Sequence, residues 1–378
     1  MPDFVNSAVL GARGQRTLPA PAYCADEVFR EEQRRIFGRC WLCAARAAEL
    51  PGSGDFVARQ VGTESLLLVR DHDGRLHAHF NVCRHRGTRL CEAERGTLSR
   101  SIRCPYHAWT YALDGRLVGV PDERHLEGFR REEFPLHAAA VAEWEGFVWV
   151  NLARDPAPFA EAFAPLAGKW RAWNLPALVC LGRRTYDVAA NWKLVIQNFS
   201  ECYHCAPVHP ALARLSPPSS GGNDLTEGPF LGGYMDVIEP GGSMTLSGRA
   251  CGVPVGPLAE ADRQRVYYYV LVPNVLLSLH HDYVMVHTLW PQAPGRTRIE
   301  CEWLFHPDTA TRPGFDPEDG IAFWDRTNRE DWHVSELTQL GVASSRYVPG
   351  PYSAREAMAA AFDREYRRLM GGGEEAVP

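Results

Sequence analysis

Residues 81–111 read NVCRHRGTRLCEAERGTLSRSIRCPYHAWTY, and within them Cys83-x-His85 is followed, after 18 intervening residues, by Cys104-x-x-His107. Two thiols and two imidazoles suit either a tetrahedral zinc ion or an iron–sulfur cluster in which one iron takes the cysteines and the other the histidines. In a zinc finger the cysteines stand together and the histidines follow, whereas here each loop supplies one of each. That mixed arrangement favours a cluster with two chemically different irons. Gly87 lets backbone approach such a group, and Pro105 stiffens the second loop.

Outward from these loops the texture is all β. SLLLVRDHDGRLHAHFNV predicts two strands around an Asp73-Gly74 turn, HAWTYALDGRLVGV repeats the device at Asp114-Gly115, and EGFVWVNL is a further strand. DEVFREEQRRIFGRCW before them predicts a helix. Beyond Pro156 the pattern turns mixed. FAEAFAPLAGKWRAW and NWKLVIQNFSECYH read as helical, and CLGRRTYDVAA as a strand. The Gly/Ser/Pro-rich stretch from Leu215 to Gly233 reads as a mobile loop over a pocket. The strands RVYYYVL, NVLLSLH, YVMVHTLW and RIECEWLF precede long helices at about 317–340 and 354–369. Antiparallel sheet with long packing helices is an α+β arrangement. The expected division is 1–45, a helical segment packing on the catalytic domain; 46–155, a small all-β domain; and 156–378, the catalytic domain.

The chain has 378 residues, 45% of them hydrophobic, enough for two cored domains. A net charge of -6 with no basic tract argues against nucleic-acid binding. The first thirty residues carry no apolar signal core, and the longest apolar run is broken by Pro273, so neither export nor a membrane span is expected and the protein reads as cytoplasmic. Eleven cysteines in such a chain are expected to be reduced. Cys40 and Cys43 lie in apolar sequence and read as core; Cys91 fits no ligand position.

A second site is expected in NWKLVIQNFSECYHCAPVHP. His204 and His209 are five apart, and on an ideal helix would diverge by about 140°. Pro207 disfavours helix at Ala206, so that His209 turns back toward the metal that His204 approaches. On the late helix DGIAFWDRTNREDWHVSELTQLG, Trp324, Thr327 and Asp331 share a face while Glu330 points elsewhere. Two imidazoles and the Asp331 carboxylate make a facial triad for iron(II) with open positions for dioxygen. Phe199, Tyr203, Tyr267, Tyr268, Tyr269, Tyr283 and Trp290 are candidate roof residues, able to hold a flat ring or a methylated ammonium. His280, His281 and His287 read as sheet residues.

Cys-x-His followed by Cys-Pro-Tyr-His-Ala-Trp resembles the Rieske domain of ring-hydroxylating oxygenases. The NWK start, Glu201-x-Tyr203-His204-x-x-x-x-His209 and Glu330-Asp331-x-x-x-x-Glu336 extend the resemblance over nearly the whole chain, to the catalytic alpha subunit of these Rieske non-heme iron enzymes. The resemblance implies a helix-grip (START-like) catalytic domain behind the all-β 2Fe-2S domain. It implies Cys83 and Cys104 on the inner iron, His85 and His107 on the outer iron, and His204, His209 and Asp331 on a mononuclear iron. Glu201 matches the acidic residue that links this iron to the Rieske histidine of a neighbouring subunit, and Asn198, one turn earlier, is a candidate partner of a ligand. The interval between the two loops is long for the family, an insertion around Glu92 to Gly96.

A homotrimer is implied too, fed with electrons from NAD(P)H by a separate flavin and iron–sulfur reductase, since no G-x-G-x-x-G or further cysteine set is present. NFSECYHCAPVHP looks most like the glycine betaine, carnitine and choline monooxygenase branch. Hydroxylation of a quaternary ammonium compound with N-demethylation therefore leads, ahead of aromatic-acid hydroxylation. The non-enzymatic alternative is a Rieske electron carrier fused to a ligand-binding domain.

Overall fold

The computed structural model describes residues 4–12 and 14–372 and divides into two compact units. Residues 37–167 form one; residues up to 36 together with 168 onward form the other.

The first unit is built of β1 (Leu42–Arg46), β2 (Asp55–Val61), β3 (Glu64–Arg70), β4 (Leu76–Phe80), β5 (Arg95–Thr97), β6 (Ser101–Arg103), β7 (Thr110–Ala112), β8 (Leu117–Gly119), β9 (Ala138–Trp144) and β10 (Phe147–Asn151). Seven of them make an antiparallel sheet in the order β1-β10-β9-β4-β3-β2-β5, and β6-β7-β8 make a second. Both expected hairpins form. Asp71 Oδ1 accepts the backbone N–H groups of Asp73 and Arg75 at 2.9 and 2.8 Å, and Asp114 Oδ1 accepts that of Arg116 at 3.0 Å, so each turn is held by its own aspartate. Residues 92–97 lead into β5, which pairs with β2. Phe56, Leu67, Val69, Ile102 and Tyr111 form the core between the sheets, and Cys83 and Cys104 belong to it.

The second unit carries β11 (Val179–Val188), β12 (Gly222–Leu225), β13 (Phe230–Asp236), β14 (Arg265–Leu271), β15 (Val275–Leu279), β16 (Val284–Ala293) and β17 (Arg296–Phe305), all antiparallel in the order β11-β17-β16-β15-β14-β13-β12. The long helix Glu318–Val342 packs beside β11, where a Cβ at Gly182 would collide with Ile321.

Two readings need correction. Residues 159–173 form one turn of α-helix, Phe159–Ala162, and short 3-10 turns, because Pro165 and Gly168 interrupt the apolar pattern. The Gly-rich stretch to Gly233 is partly sheet: Gly232, at φ 136°, lies so close to Tyr268 O that a side chain would clash there. No helix among the described residues is long and apolar enough to cross a membrane.

A buried charge cluster ties three helices of the second unit together. Glu32, from Asp26–Glu32, bonds the ammonium of Lys193, accepts the Trp192 indole N–H at 2.9 Å and accepts the Tyr366 hydroxyl at 2.8 Å. Lys193 and Trp192 open the helix Trp192–Phe199, and Tyr366 lies on Ala357–Leu369. Lys193 and Glu32 are fully buried, so removing one partner strands the other charge. Lys193→Ala is expected to lower stability by about 3–5 kcal/mol, read as a fall in the urea midpoint, with the paired change Glu32→Gln and Lys193→Met recovering most of it. An unchanged midpoint in the single variant would show that the pair contributes nothing.

Candidate metal centres and the cavity between the helices

In the first unit the two ligand loops share one construction. The N–H of Gly87 donates to Cys83 O at 3.0 Å and that of Ala108 to Cys104 O at 3.1 Å, each from a residue with positive φ, 76° and 56°. Both turns leave the cysteine pointing inward and the histidine outward: Cys83 and Cys104 are buried, His107 is half-buried and His85 is exposed. His85 and His107 rings stand 4.8 Å apart, and His85 stacks on Trp109 at 4.8 Å. The buried Nδ1 of His107 has no hydrogen-bond partner among the described residues. Tyr111 Oη accepts the Arg84 N–H at 3.1 Å and lies 3.3 Å from Cys83 Sγ, free to donate to it. Burial pushes the Cys83 thiol up, so a thiolate there needs the charge of a bound metal. Inward thiols, outward imidazoles and a bare ring nitrogen fit a Rieske cluster.

In the second unit the helix Trp192–Phe199 stops where the sequence pattern suggested continuation. Residues 200–204 are unwound, a short helix Cys205–Val208 follows with His204 as its N-cap, and His209 kinks the chain (φ -121°, ψ 66°) into Pro210–Leu215. Pro207 lies inside the short helix, in a first turn that requires no N–H from it. The break expected at Ala206 therefore falls before and after it. Unwinding also brings the Cα atoms of Cys202 and Cys205 to 4.9 Å, and the two are joined as a disulfide, against the expectation of reduced cysteines.

The kinked segment turns both imidazoles toward Asp331. His209 Nε2 lies 2.8 Å and His204 Nε2 3.2 Å from the same oxygen, Asp331 Oδ1. Ligands about 2.1 Å from a metal at right angles to each other stand about 3 Å apart, so this spacing fits one ion bound by all three. The opposite ring nitrogens are each held by a carboxylate. His204 Nδ1 lies 2.6 Å from Glu201 Oε1, and His209 Nδ1 lies 2.8 Å from Glu330 Oε2. Such backing fixes the tautomer and aims Nε2 at the metal. Asn198 stands on the metal side, its amide 3.4 Å from His204 Nε2.

Three carboxylates around two imidazoles make the site strongly cation-seeking. Burial works against a charged imidazole, but hydrogen bonds to Asp331 and Glu201 outweigh it and push His204 up to about 10. Burial likewise opposes the Asp331 carboxylate, which the two imidazoles hold below its usual range.

Glu330 was expected to point away and does not. It stands about 100° from Asp331 on the helix, but the His209 ring lies between them and presents one nitrogen to each. The signal was available in the adjacency of Glu330 and Asp331, given that a ligating histidine needs a partner behind it. Arg326 Nε in turn donates to Glu330 Oε1 at 2.9 Å.

The triad opens into a cavity of ≈ 230 Å³. Phe199, Tyr203 and Tyr268 line it as expected, together with Trp324 and Thr327 from the helix face that carries Asp331. Tyr267, Tyr269, Tyr283 and Trp290 do not. Strand alternation sends Tyr267 and Tyr269 to the other face, and Tyr283 serves as a support, accepting the Trp324 indole N–H at 2.6 Å and donating to Met244 O. His287 is buried on β16, while His280 and His281 are buried in the turn between β15 and β16. Residues missed by sequence reasoning are Tyr234, Arg355 and Asn6–Ala8, the last brought in by a bridge from Val5 to Asn223. If Glu330 orients His209, Glu330→Gln should weaken iron(II) binding roughly 10- to 100-fold in a chelator competition; unchanged affinity would remove that role.

Residues 40–130 match the Rieske [2Fe-2S] domain, and residues 176–372 match the ring hydroxylating alpha subunit (catalytic domain). The glycine betaine monooxygenase oxygenase subunit of Pseudomonas aeruginosa is 31% identical over 374 residues, covering 89% of this chain and 85% of its own. The carnitine monooxygenase oxygenase subunit of Acinetobacter baumannii is 36% identical over 204 residues, covering 52% and 53%. A solved quaternary ammonium Rieske monooxygenase, described for its carnitine oxidation and inter-subunit electron transfer, superposes with a TM-score of 0.80 at 25% identity over 94% of this chain and 95% of that one. Domain matches across both units, over loops that present cysteines inward and histidines outward and a catalytic unit with a two-histidine, one-aspartate cluster, place the chain in the Rieske-type ring-hydroxylating oxygenases, as a catalytic alpha subunit.

Proposed function

We propose that this protein is the oxygenase component of a Rieske monooxygenase that hydroxylates an N-methyl carbon of a quaternary ammonium compound, the product then shedding formaldehyde. The observation that carries the substrate class is the aromatic wall beside the triad. Phe199 and Tyr268 stand with centroids 6.0 Å apart, Tyr268 and Trp324 6.3 Å apart, all three on the cavity. An aromatic ring that meets a methylated ammonium with its face attracts it by about 0.5–2 kcal/mol. The named activities of the glycine betaine and carnitine relatives agree with this reading.

His204, His209 and Asp331 would hold the mononuclear iron, with Cys83 and Cys104 on the inner and His85 and His107 on the outer iron of the cluster. Bound there, the mononuclear iron supplies dioxygen activation, using electrons that the cluster receives from a separate reductase. The chain's own part is to aim and exclude. Glu201 and Glu330 fix the two rings, Asn198 crowds the metal side of His204, and Trp324, locked by Tyr283, keeps the aromatic wall in place.

Glu201 backs His204 from a half-buried position near the start of an unwound segment, which suits a link to the Rieske histidine of a neighbouring subunit. The family resemblance adds to this reading a homotrimer in the cytoplasm, served by a flavin and iron–sulfur reductase drawing on NAD(P)H.

With a surrogate reductase, betaines should raise NADH and oxygen consumption and release formaldehyde in step; stimulation by aromatic acids alone would reassign the substrate. Asp331→Ala should abolish turnover and leave the visible absorption of the cluster intact, whereas loss of both would make Asp331 a structural residue. Glu201→Gln should keep both centres yet slow single-turnover oxidation of the cluster, and an unchanged rate would refute the link.

A further inference from the structure

The charged groups at the triad end of the cavity are accounted for: Asp331 faces both imidazoles and Glu201 backs one of them. Elsewhere on the wall stands a single lysine or arginine among the described lining residues, Arg355. Its neighbours are engaged. Arg364 donates to Gln15 Oε1 at 2.8 Å, Arg367 to Arg16 O at 3.4 Å and Arg368 to Glu365 at 2.6 Å. Arg355 itself is exposed and makes no hydrogen bond or ion pair with any described residue. The adjacent acid, Glu356, is turned to the Ser353 N–H, which its Oε2 accepts at 2.7 Å, and forms no ion pair with Arg355.

Its placement is not that of a stray surface cation. Ala354–Glu356 is a fixed 3-10 turn leading straight into the helix Ala357–Leu369, and Met358, one turn on, lines the same cavity. Ser219, Ser220 and Asn223 add polar groups to the wall. A guanidinium with its fork of donors unspent, on the wall of a cavity whose other charges are occupied, is a receptor for a carboxylate.

We infer that Arg355 binds a substrate carboxylate, so that the cavity takes a zwitterion: a methylated ammonium against Phe199, Tyr268 and Trp324, and a carboxylate on Arg355. This deepens the quaternary ammonium reading and rests on it for the cationic end only. A betaine is then preferred to choline, which offers a hydroxyl in place of the carboxylate. Arg355 is thus a specificity-determining residue, distinct from the residues of the triad.

The test is calorimetric titration of the intact, iron-loaded enzyme and of Arg355→Gln and Arg355→Lys with glycine betaine, choline and benzoate. A charge-assisted hydrogen bond exposed to solvent predicts a loss of about tenfold in betaine affinity on Arg355→Gln, partly restored by Arg355→Lys. Choline affinity should change far less. Equal losses for betaine and choline, or betaine affinity unchanged by Arg355→Gln, would overturn the inference while leaving the ammonium reading standing. Benzoate binding that depends on Arg355, in an enzyme that binds no betaine, would uphold the carboxylate role and sink the ammonium reading. Binding of none of the three by the unaltered enzyme would overturn both.

Discussion

A single carboxylate oxygen, Asp331 Oδ1, faced by the Nε2 atoms of two histidines, is the contact on which the catalytic unit depends. Three hydrogen-bonding groups converge there from segments far apart in the chain, and without a shared cation they would compete for protons. The fold accepts irregularity to make them meet. It unwinds residues 200–204, kinks at His209 and sets a helix of 25 residues opposite. Glu201 and Glu330 complete the arrangement from behind, turning two loosely placed rings into a preorganised pair.

The two metal centres solve opposite problems. Around Cys83 and Cys104 the protein withholds charge: the thiols sit in an apolar core, and the hydroxyl of Tyr111 is the polar group beside one of them. Around His204 and His209 it concentrates negative charge. A relay that passes single electrons gains from a low-dielectric, rigid nest that needs little reorganisation, whereas a centre that must keep positions open gains from a strongly held but incomplete ligand set. The exposed edge of His85 belongs to the first design and the cavity beside Asp331 to the second.

What was legible in the sequence followed from how local its cause was. The pairing of Cys83 with His85 and of Cys104 with His107, thiol inward and imidazole outward, could be expected because each pair's spacing acts within its own loop. The strands of both units could be read from alternation, and Asp331 from its helix face with Trp324 and Thr327. Readings failed where a distant partner decided. The helix expected through His204 ends at Phe199, where the chain unwinds and turns His204 and His209 toward Asp331. The run to Gly233 reads as a loop, although Gly232 lies against Tyr268 O within the sheet. Glu330 was set aside by helical angle alone, which ignores the ring that spans the gap to Asp331. Arg355 carries no local signal at all, since only the fold brings its turn to the cavity.

The proposed function requires two separate iron centres in one polypeptide, a cluster on the Cys83/His85/Cys104/His107 loops and a mononuclear ion on His204, His209 and Asp331. Metal and acid-labile sulfide analysis of the purified protein tests it most directly. About three irons and two sulfides per chain are expected. Two irons with two sulfides would leave an electron carrier with a ligand-binding domain, and zinc in place of iron would contradict the account altogether.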